Sequence, residues 1–144
     1  MLATGSTYNS PWRAHDEHIP TTAERENEWK KVREDINAAS SVLVVGGGPA
    51  GVEAAGWIKE VHPEKTVGIA LRGQTLLTRF NNAHAVAENI LKEIGVEMHY
   101  NRTWNEGDSV ADFAYVLDCR GFRFNGPALY LKGDMAECVD RKTG

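Results

Sequence analysis

The sequence predicts an α/β fold, a doubly wound parallel sheet with helices on both faces. Two observations lead to this prediction. Strand-like and helix-like segments alternate between residues 40 and 119, and a glycine-rich turn joins the first of these strands to the helix that follows. Such alternation is typical of a parallel sheet with right-handed crossover connections.

The size and composition of the chain exclude several classes of protein. Its 144 residues, 42% hydrophobic and 25% charged, suit one globular domain. A net charge of −4 argues against a nucleic-acid partner, and no apolar run approaches the roughly 20 residues of a membrane-spanning helix. Two distant cysteines, Cys119 and Cys138, favour free thiols in a reducing, intracellular compartment, either cytoplasmic or mitochondrial.

The first regular element is a helix that follows a turn-rich segment. Residues 1–20 contain repeated Gly, Ser, Asn and Pro, which predicts an irregular arm. Thr21 with Glu24 forms a capping-box pattern, so we expect a helix from there to about Ala39. Its apolar stripe has helical spacing and consists of Trp29, Val32 and Ile36.

The next segments alternate between strand and helix. A continuous apolar run predicts a strand that is buried on both faces. Apolar residues three and four apart, followed by a glycine, predict a helix and its C-terminal cap. The predicted strands are Val42–Val45, Val67–Leu71, Val96–Tyr100 and Phe113–Cys119, and the two helices between them are Pro49–Val61 and Ala83–Ile94, the latter capped by Gly95.

The glycine-rich turn carries the chemistry. Its sequence, Gly46-Gly47-Gly48-Pro49-Ala50-Gly51, contains the pattern G-x-G-x-x-G between a buried strand and a helix. This is the dinucleotide-binding fingerprint of the Rossmann fold: the glycines allow a tight turn, a close approach of the pyrophosphate and close helix packing. Backbone N–H groups at the helix N-terminus then face the phosphates.

The end of the second strand bears on the choice between NAD and NADP. An NAD site usually has an acid there for the ribose 2′-hydroxyl, whereas an arginine accommodates the 2′-phosphate of NADP. Here Leu71 and Arg72 follow the strand, and no acid is present. Arg72 is therefore either a 2′-phosphate ligand or a solvated surface residue, and the sequence leaves both open.

The segment from Val42 to Glu53 resembles the NAD(P)H-domain fingerprint of the pyridine nucleotide-disulfide oxidoreductase superfamily. It is most similar to the branch of type II NADH dehydrogenases and apoptosis-inducing factors. The resemblance implies that Glu53 and Gly121 lie on the nicotinamide side. Leu2–Ser6, and Asp118–Gly121 with Asn125, are similar to the two motifs that connect this domain to the FAD domain.

The resemblance also implies how the chain is organised. Residues 1–20 would end the connection from the FAD domain, and residues 21–144 would form the NAD(P)H-binding domain preceded by its connecting helix. FAD would belong to a parent enzyme that passes hydride from NAD(P)H to flavin. We expect the FAD domain of that polypeptide to be the partner of this fragment, which would be inactive alone and has a shortened meander at Asn101–Asp112.

Some features of the sequence bear on other functions. A non-enzymatic dinucleotide-binding or interaction domain remains an alternative, because the acid after the second strand and the meander are both missing. A fingerprint that binds FAD is disfavoured, because the first connecting motif precedes it. His15–His18 offers metal-ligand types but no partner cluster, so we expect no metal site. No catalytic acid, base or nucleophile is predicted in this chain.

Overall fold

A computed structural model describes residues 6–8, 21–80, 82–104 and 113–124. Its main sheet has four parallel strands in the spatial order β4-β3-β2-β5. This confirms the predicted Rossmann-like α/β fold, since the first two crossovers run in one direction and the third returns to the other side of β2. The strands are β2 (Ser41–Val45), β3 (Thr66–Ala70), β4 (Val96–His99) and β5 (Tyr115–Asp118).

The described residues contain three helices beside the sheet: α1 (Thr22–Ala38), α2 (Pro49–Val61) and α3 (Ala83–Glu93). The predicted capping box is present, because Thr21 Oγ1 accepts from the backbone N–H of Glu24 while the Glu24 carboxylate accepts from the backbone N–H of Thr21. Gly95 follows α3 with φ +86°, the left-handed conformation expected after a helix. Local sequence signals therefore located these helix ends well.

The helices are distributed differently from the prediction. Val32 and Ile36 of α1, Ile58 of α2 and Leu91 of α3 all pack with the same core cluster, on the sheet face of Val42 and Val44. We predicted helices on both faces, but among the described residues none packs on the second face. The sequence pattern did not predict this distribution of helices, because strands that are buried on both faces do not indicate which elements cover each face.

The second face is covered by aromatic side chains instead. Leu43, Val45 and Ala70 pack there with Phe113, and Trp104 lies against them. The Phe113 ring fills the space above Gly68, where an added Cβ would lie 2.6 Å from the ring. The connection from β4 to β5, part of which lies outside the described residues, thus contributes cover to this face.

A separate two-stranded antiparallel sheet joins distant parts of the chain. Strand β1 (Ser6–Tyr8) pairs with β6 (Phe122–Phe124), with Ser6 opposite Phe124. The prediction of an irregular arm over residues 1–20 is therefore corrected for residues 6–8. Their hydrogen-bond partners lie more than 110 positions away, so no local pattern could indicate this strand.

Lys65 connects α1 to the start of β3 from a buried position. Its side chain is only 7% exposed, and its ammonium donates to the carbonyl oxygens of Asn37 at 2.9 Å and Ala39 at 2.6 Å. Carbonyls at a helix C-terminus lack partners within the helix and carry partial negative charge. A lysine that directly precedes β3 thus satisfies carbonyls at the C-terminal end of α1.

Candidate functional site

The candidate site lies where the C-terminal ends of the parallel strands meet the glycine-rich turn. The turn leaves β2 at Gly46, whose φ is +120° and whose N–H donates to the Ala70 carbonyl at 2.9 Å. On the other side, the Cys119 N–H donates to the Val45 carbonyl at 2.8 Å. The turn is therefore held between the ends of β3 and β5, at the edge where open α/β sheets bind ligands.

Three of the four glycines in the fingerprint are required by packing. A Cβ at Gly46 would lie 2.8 Å from the Cys119 carbonyl oxygen, and at Gly47 it would collide with the Leu71 side chain. At Gly51 it would collide with the Gly46 carbonyl oxygen. These contacts confirm the predicted tight turn at Gly46 and the close helix packing at Gly51.

Gly48 differs from its neighbours. No heavy atom outside the adjacent residues lies within 4 Å of a Cβ added there, and its backbone is extended at φ −80° and ψ −179°. Neither packing nor conformation within the described chain therefore demands glycine at this position. The open space lies at the N-cap of α2, where backbone N–H groups and the helix dipole favour an anion.

An open cleft of about 740 Å³ adjoins this turn. That volume is in the range of small-molecule and cofactor sites. Its described lining includes three arginines and no acidic residue. Arg72 and Arg79 give it a positive character, whereas Arg120 is paired with Asp118. The lining residues are Gly47, Gly48, Pro49, Ala50, Leu71, Arg72, Gly73, Thr75, Leu77, Thr78, Arg79, Phe80, Cys119, Arg120 and Gly121.

The loop after β3 forms one wall of the cleft. We call residues 72–80 the arginine loop, because Arg72 and Arg79 lie in it and both are exposed. Its position is fixed by the Leu77 N–H, which donates to the Gly47 carbonyl at 2.8 Å, and by the fully buried Leu76. The loop thus presents charged side chains to the cleft from a backbone anchored on the fingerprint turn.

Leu71 occupies the position at which an NAD site would carry an acid. Its side chain is 2% exposed and packs in the main core, beside Gly47. Position 71 therefore contributes an apolar side chain to the core. Together with the absence of acids in the described lining, this leaves the part of the cleft beside the arginine loop without a carboxylate.

The corner after β5 forms another part of the lining and is held by an ion pair. The Asp118 carboxylate accepts from the backbone N–H and Nε of Arg120, both at 2.9 Å, and from its Nη2 at 2.6 Å. Arg120 Nη1 also donates to the Trp104 carbonyl at 2.9 Å, and the guanidinium lies 5.2 Å from the Trp104 ring centroid. The corner is thereby linked to the segment that leaves β4.

Cys119 lies in the same corner but has an unreactive environment. Burial raises the pKa of its thiol to about 12, and the neighbouring Asp118 carboxylate adds to the increase. The thiolate is the nucleophilic form of cysteine, and it is scarcely populated at neutral pH with such a pKa. Cys119 therefore lines the cleft as a small apolar side chain.

Most of the predicted site residues meet at this cleft. Gly47, Gly48, Pro49, Ala50, Arg72 and Gly121 line it, while Gly46 and Gly51 shape the turn beneath. Glu53 does not belong to the lining; it is exposed on α2. Thr75, Thr78, Arg79 and Arg120 also line the cleft and were not predicted from the sequence. For the first three, a loop rich in hydroxyl and arginine side chains after the second predicted strand was an available signal.

Two kinds of feature are not found among the described residues. No group of three or more His, Cys, Asp or Glu side chains is placed to hold a metal ion. No described helix combines the length and apolar character that a membrane span needs. His15–His18, the one candidate metal cluster of the sequence, lies outside the described residues.

Comparison with known protein families gives a match over most of the chain. The family described as "Pyridine nucleotide-disulphide oxidoreductase" matches residues 1–135. Among curated proteins, apoptosis-inducing factor homolog A of Dictyostelium discoideum is 40% identical over 70 residues, 49% of this chain and 17% of that protein. An FAD-dependent oxidoreductase of Flammulina velutipes is 32% identical over 78 residues, 54% of this chain and 23% of that protein.

A third relative is ferroptosis suppressor protein 1 of Xenopus laevis, 37% identical over 67 residues, 46% of this chain and 17% of that protein. The matched part of the chain thus spans less than a quarter of each of these relatives. They are much longer proteins, and this chain corresponds to one portion of them.

Solved structures share the fold. An engineered water-forming NADPH oxidase bound to NADPH aligns with a TM-score of 0.58 at 19% identity, covering 67% of this chain and 24% of the oxidase. A ferredoxin reductase from Rhodopseudomonas palustris aligns with a TM-score of 0.53 at 17% identity, covering 79% of this chain and 30% of the reductase. At these identities the likeness establishes the Rossmann-like architecture.

Proposed function

We propose, because this chain belongs to the pyridine nucleotide-disulphide oxidoreductase family, that it is the NAD(P)H-binding domain of a longer FAD-dependent oxidoreductase. Residues 21–144 would form the domain with its connecting helix, and residues 1–20 would belong to the connection with the flavin domain. The observation that carries the proposal is the cleft, where the fingerprint turn meets three arginines and no acid in the described lining.

The fingerprint turn suits the pyrophosphate of the dinucleotide. The space beside Gly48 is open, so two phosphates can approach the backbone closely. Pro49 occupies the first position of α2, where its missing N–H leaves no helical hydrogen bond unmade. Gly46 to Gly51 would therefore hold the pyrophosphate at the positive end of the helix.

The arginine loop favours NADPH over NADH. Arg72 follows the end of β3 directly, and Arg79 lines the same cleft. A guanidinium can make two parallel charge-assisted hydrogen bonds to a phosphate. Leu71 is buried in the core and offers no carboxylate to a ribose hydroxyl. We therefore assign Arg72 and Arg79 to the adenosine 2′-phosphate.

The nicotinamide would lie toward Gly121 and Glu53, as the family resemblance implies. Bound NAD(P)H would supply hydride to the flavin of the parent enzyme, and the redox chemistry belongs to these cofactors. The residues of this chain bind and orient the dinucleotide. Cys119 takes no part as a nucleophile, because its thiol stays protonated at neutral pH.

Calorimetric titration of the purified chain with NADH, NADPH and FAD tests the proposal. We expect both reduced dinucleotides to bind with one site, NADPH more tightly, and the protein to be colourless after purification. Binding of neither dinucleotide would favour the interaction domain instead. A stoichiometric flavin spectrum that survives dialysis would show that the fingerprint binds FAD.

A further inference from the structure

The strongest cluster of polar contacts at the cleft is the one around Arg120. We infer that Arg120 is a positioning residue, which fixes the shape of the cleft near Gly121 and does not itself bind phosphate. The inference rests on the proposed function, because it concerns how that cleft holds a dinucleotide. It separates Arg120 from Arg72 and Arg79, although all three line the same space.

The donors of Arg120 are largely engaged within the protein. Its Nε and Nη2 form a two-pronged contact with the Asp118 carboxylate at 2.9 and 2.6 Å, and Nη1 donates to the Trp104 carbonyl at 2.9 Å. A guanidinium carries five N–H donors in a fixed plane. Three of these donors are engaged here, and with the Nε–Nη2 edge against Asp118 the positive charge of the group is offset by a carboxylate.

The contact between Arg120 and Trp104 holds the segment after β4. The guanidinium lies 5.2 Å from the centroid of the Trp104 ring, within the distance of a cation–π contact. The indole Nε1 of Trp104 is buried and has no hydrogen-bond partner among the described residues. The position of Trp104 therefore depends on Arg120 and on the apolar cluster of Phe113 and Val45.

The corner that Arg120 holds contributes directly to the cleft. Cys119, Arg120 and Gly121 all line it, and β6 begins at the next residue, Phe122. The Arg120 N–H donates to Asp118 Oδ1 at 2.9 Å, so the pair also closes the turn of the backbone. Loss of the pair would loosen the corner and the segment 101–104 together.

Two variants test the inference in the full 144-residue chain. Arg120→Ala removes the cation and Asp118→Asn removes the charge of its partner with little change in shape. If Arg120 positions the corner, both variants weaken NADH and NADPH alike, by about fivefold for a pair that is partly exposed. The salt dependence of binding stays as in the wild type, because no phosphate contact is lost. Arg120→Lys does not restore affinity, since an ammonium lacks the planar fork.

A phosphate ligand would behave differently. In that case Asp118→Asn would leave affinity unchanged or improve it by freeing the guanidinium, and Arg120→Ala would flatten the salt dependence. Either result overturns the inference, as would wild-type affinity in both variants. The matched control is Arg33→Gln, which replaces an exposed arginine on α1.

Hydrogen exchange separates this inference from the proposed function. The N–H groups of Asn101 and Arg102 donate to the carbonyls of Gly73 and Leu71, so their exchange reports on the segment that Arg120 holds. We expect exchange about fivefold faster in Arg120→Ala and Asp118→Asn, and unchanged in Arg33→Gln. If the wild type binds no dinucleotide, the proposed function fails, and unchanged exchange in these variants would then refute the inference as well.

Discussion

The fingerprint turn and the arginine loop both line the cleft, yet they are built differently. In the turn, backbone packs on backbone: Gly51 lies against the carbonyl of Gly46, which in turn lies against Cys119. In the loop, one buried leucine and one backbone hydrogen bond to Gly47 hold a segment whose arginines are exposed. The turn allows few substitutions without loss of the fold, whereas the loop can change its charge freely. If the cleft binds a dinucleotide as proposed, we therefore expect binding and the choice between NADH and NADPH to be separable by mutation.

The largest expected effect is on the packing of the turn. Gly51→Ala places a methyl group against the Gly46 carbonyl oxygen, so strand and helix must separate. We expect a loss of more than about 3 kcal/mol in the free energy of unfolding by urea. Gly56→Ala in the same helix is the control: its Cβ would meet only Leu91, at 3.7 Å, and should stabilise by roughly 0.5–1 kcal/mol. Equal stability of the two variants would show that the turn tolerates looser packing.

The next prediction separates folding from binding within the turn itself. Gly48→Val adds a side chain where the described chain leaves space, and the extended backbone accepts it. We expect an unchanged melting temperature, with affinity for NADH and NADPH lowered at least about a hundredfold, because the side chain occupies the phosphate position. Calorimetry and thermal denaturation measure the two effects. Unaltered affinity would place the pyrophosphate elsewhere.

A smaller and more selective effect is expected in the arginine loop. Arg72→Ala should weaken NADPH binding by on the order of 1.5–3 kcal/mol, roughly ten- to a hundredfold. NADH lacks the phosphate and should change far less. The NADPH effect should shrink as salt rises, because an exposed ion pair is screened. Equal small losses for both nucleotides would identify Arg72 as a surface residue and point to relaxed specificity.

The smallest expected effect is the dependence of stability on pH that the buried thiol of Cys119 causes. Burial raises the pKa of Cys119 from 9.0 to about 12, so the unfolded chain releases this proton at a lower pH than the folded chain. Its contribution to stability is complete below about pH 9 and is lost as pH rises toward 12. At pH 10 the loss should be about 1 kcal/mol relative to pH 8, and absent in Cys119→Ser. Urea unfolding of the wild type and Cys119→Ser at pH 8 and pH 10 measures this difference. The same pH dependence of stability in both proteins would contradict the prediction.

The sequence predicted the elements that depend on neighbouring residues. Thr21 with Glu24, Pro49 and Gly95 each place a helix end by contacts within one turn, so their positions could be predicted from local patterns. The pairing of Ser6–Tyr8 with Phe122–Phe124 and the cover of Gly68 by Phe113 could not, because both join distant residues. The site followed the same division: the fingerprint is local, whereas Arg79 and Arg120 enter the cleft through the folding of separate segments.

The buried ammonium of Lys65 sets a limit on how this domain can be transplanted. The Rossmann core begins at Ser41, which suggests a convenient boundary for grafting it onto another protein. Cutting there would remove Asn37 and Ala39, whose carbonyls accept from the ammonium, together with Val32 and Ile36, which pack against the core. Helix α1 is therefore part of the smallest transferable unit, because a graft that omits it exposes Lys65 and the apolar side chains that the helix covers.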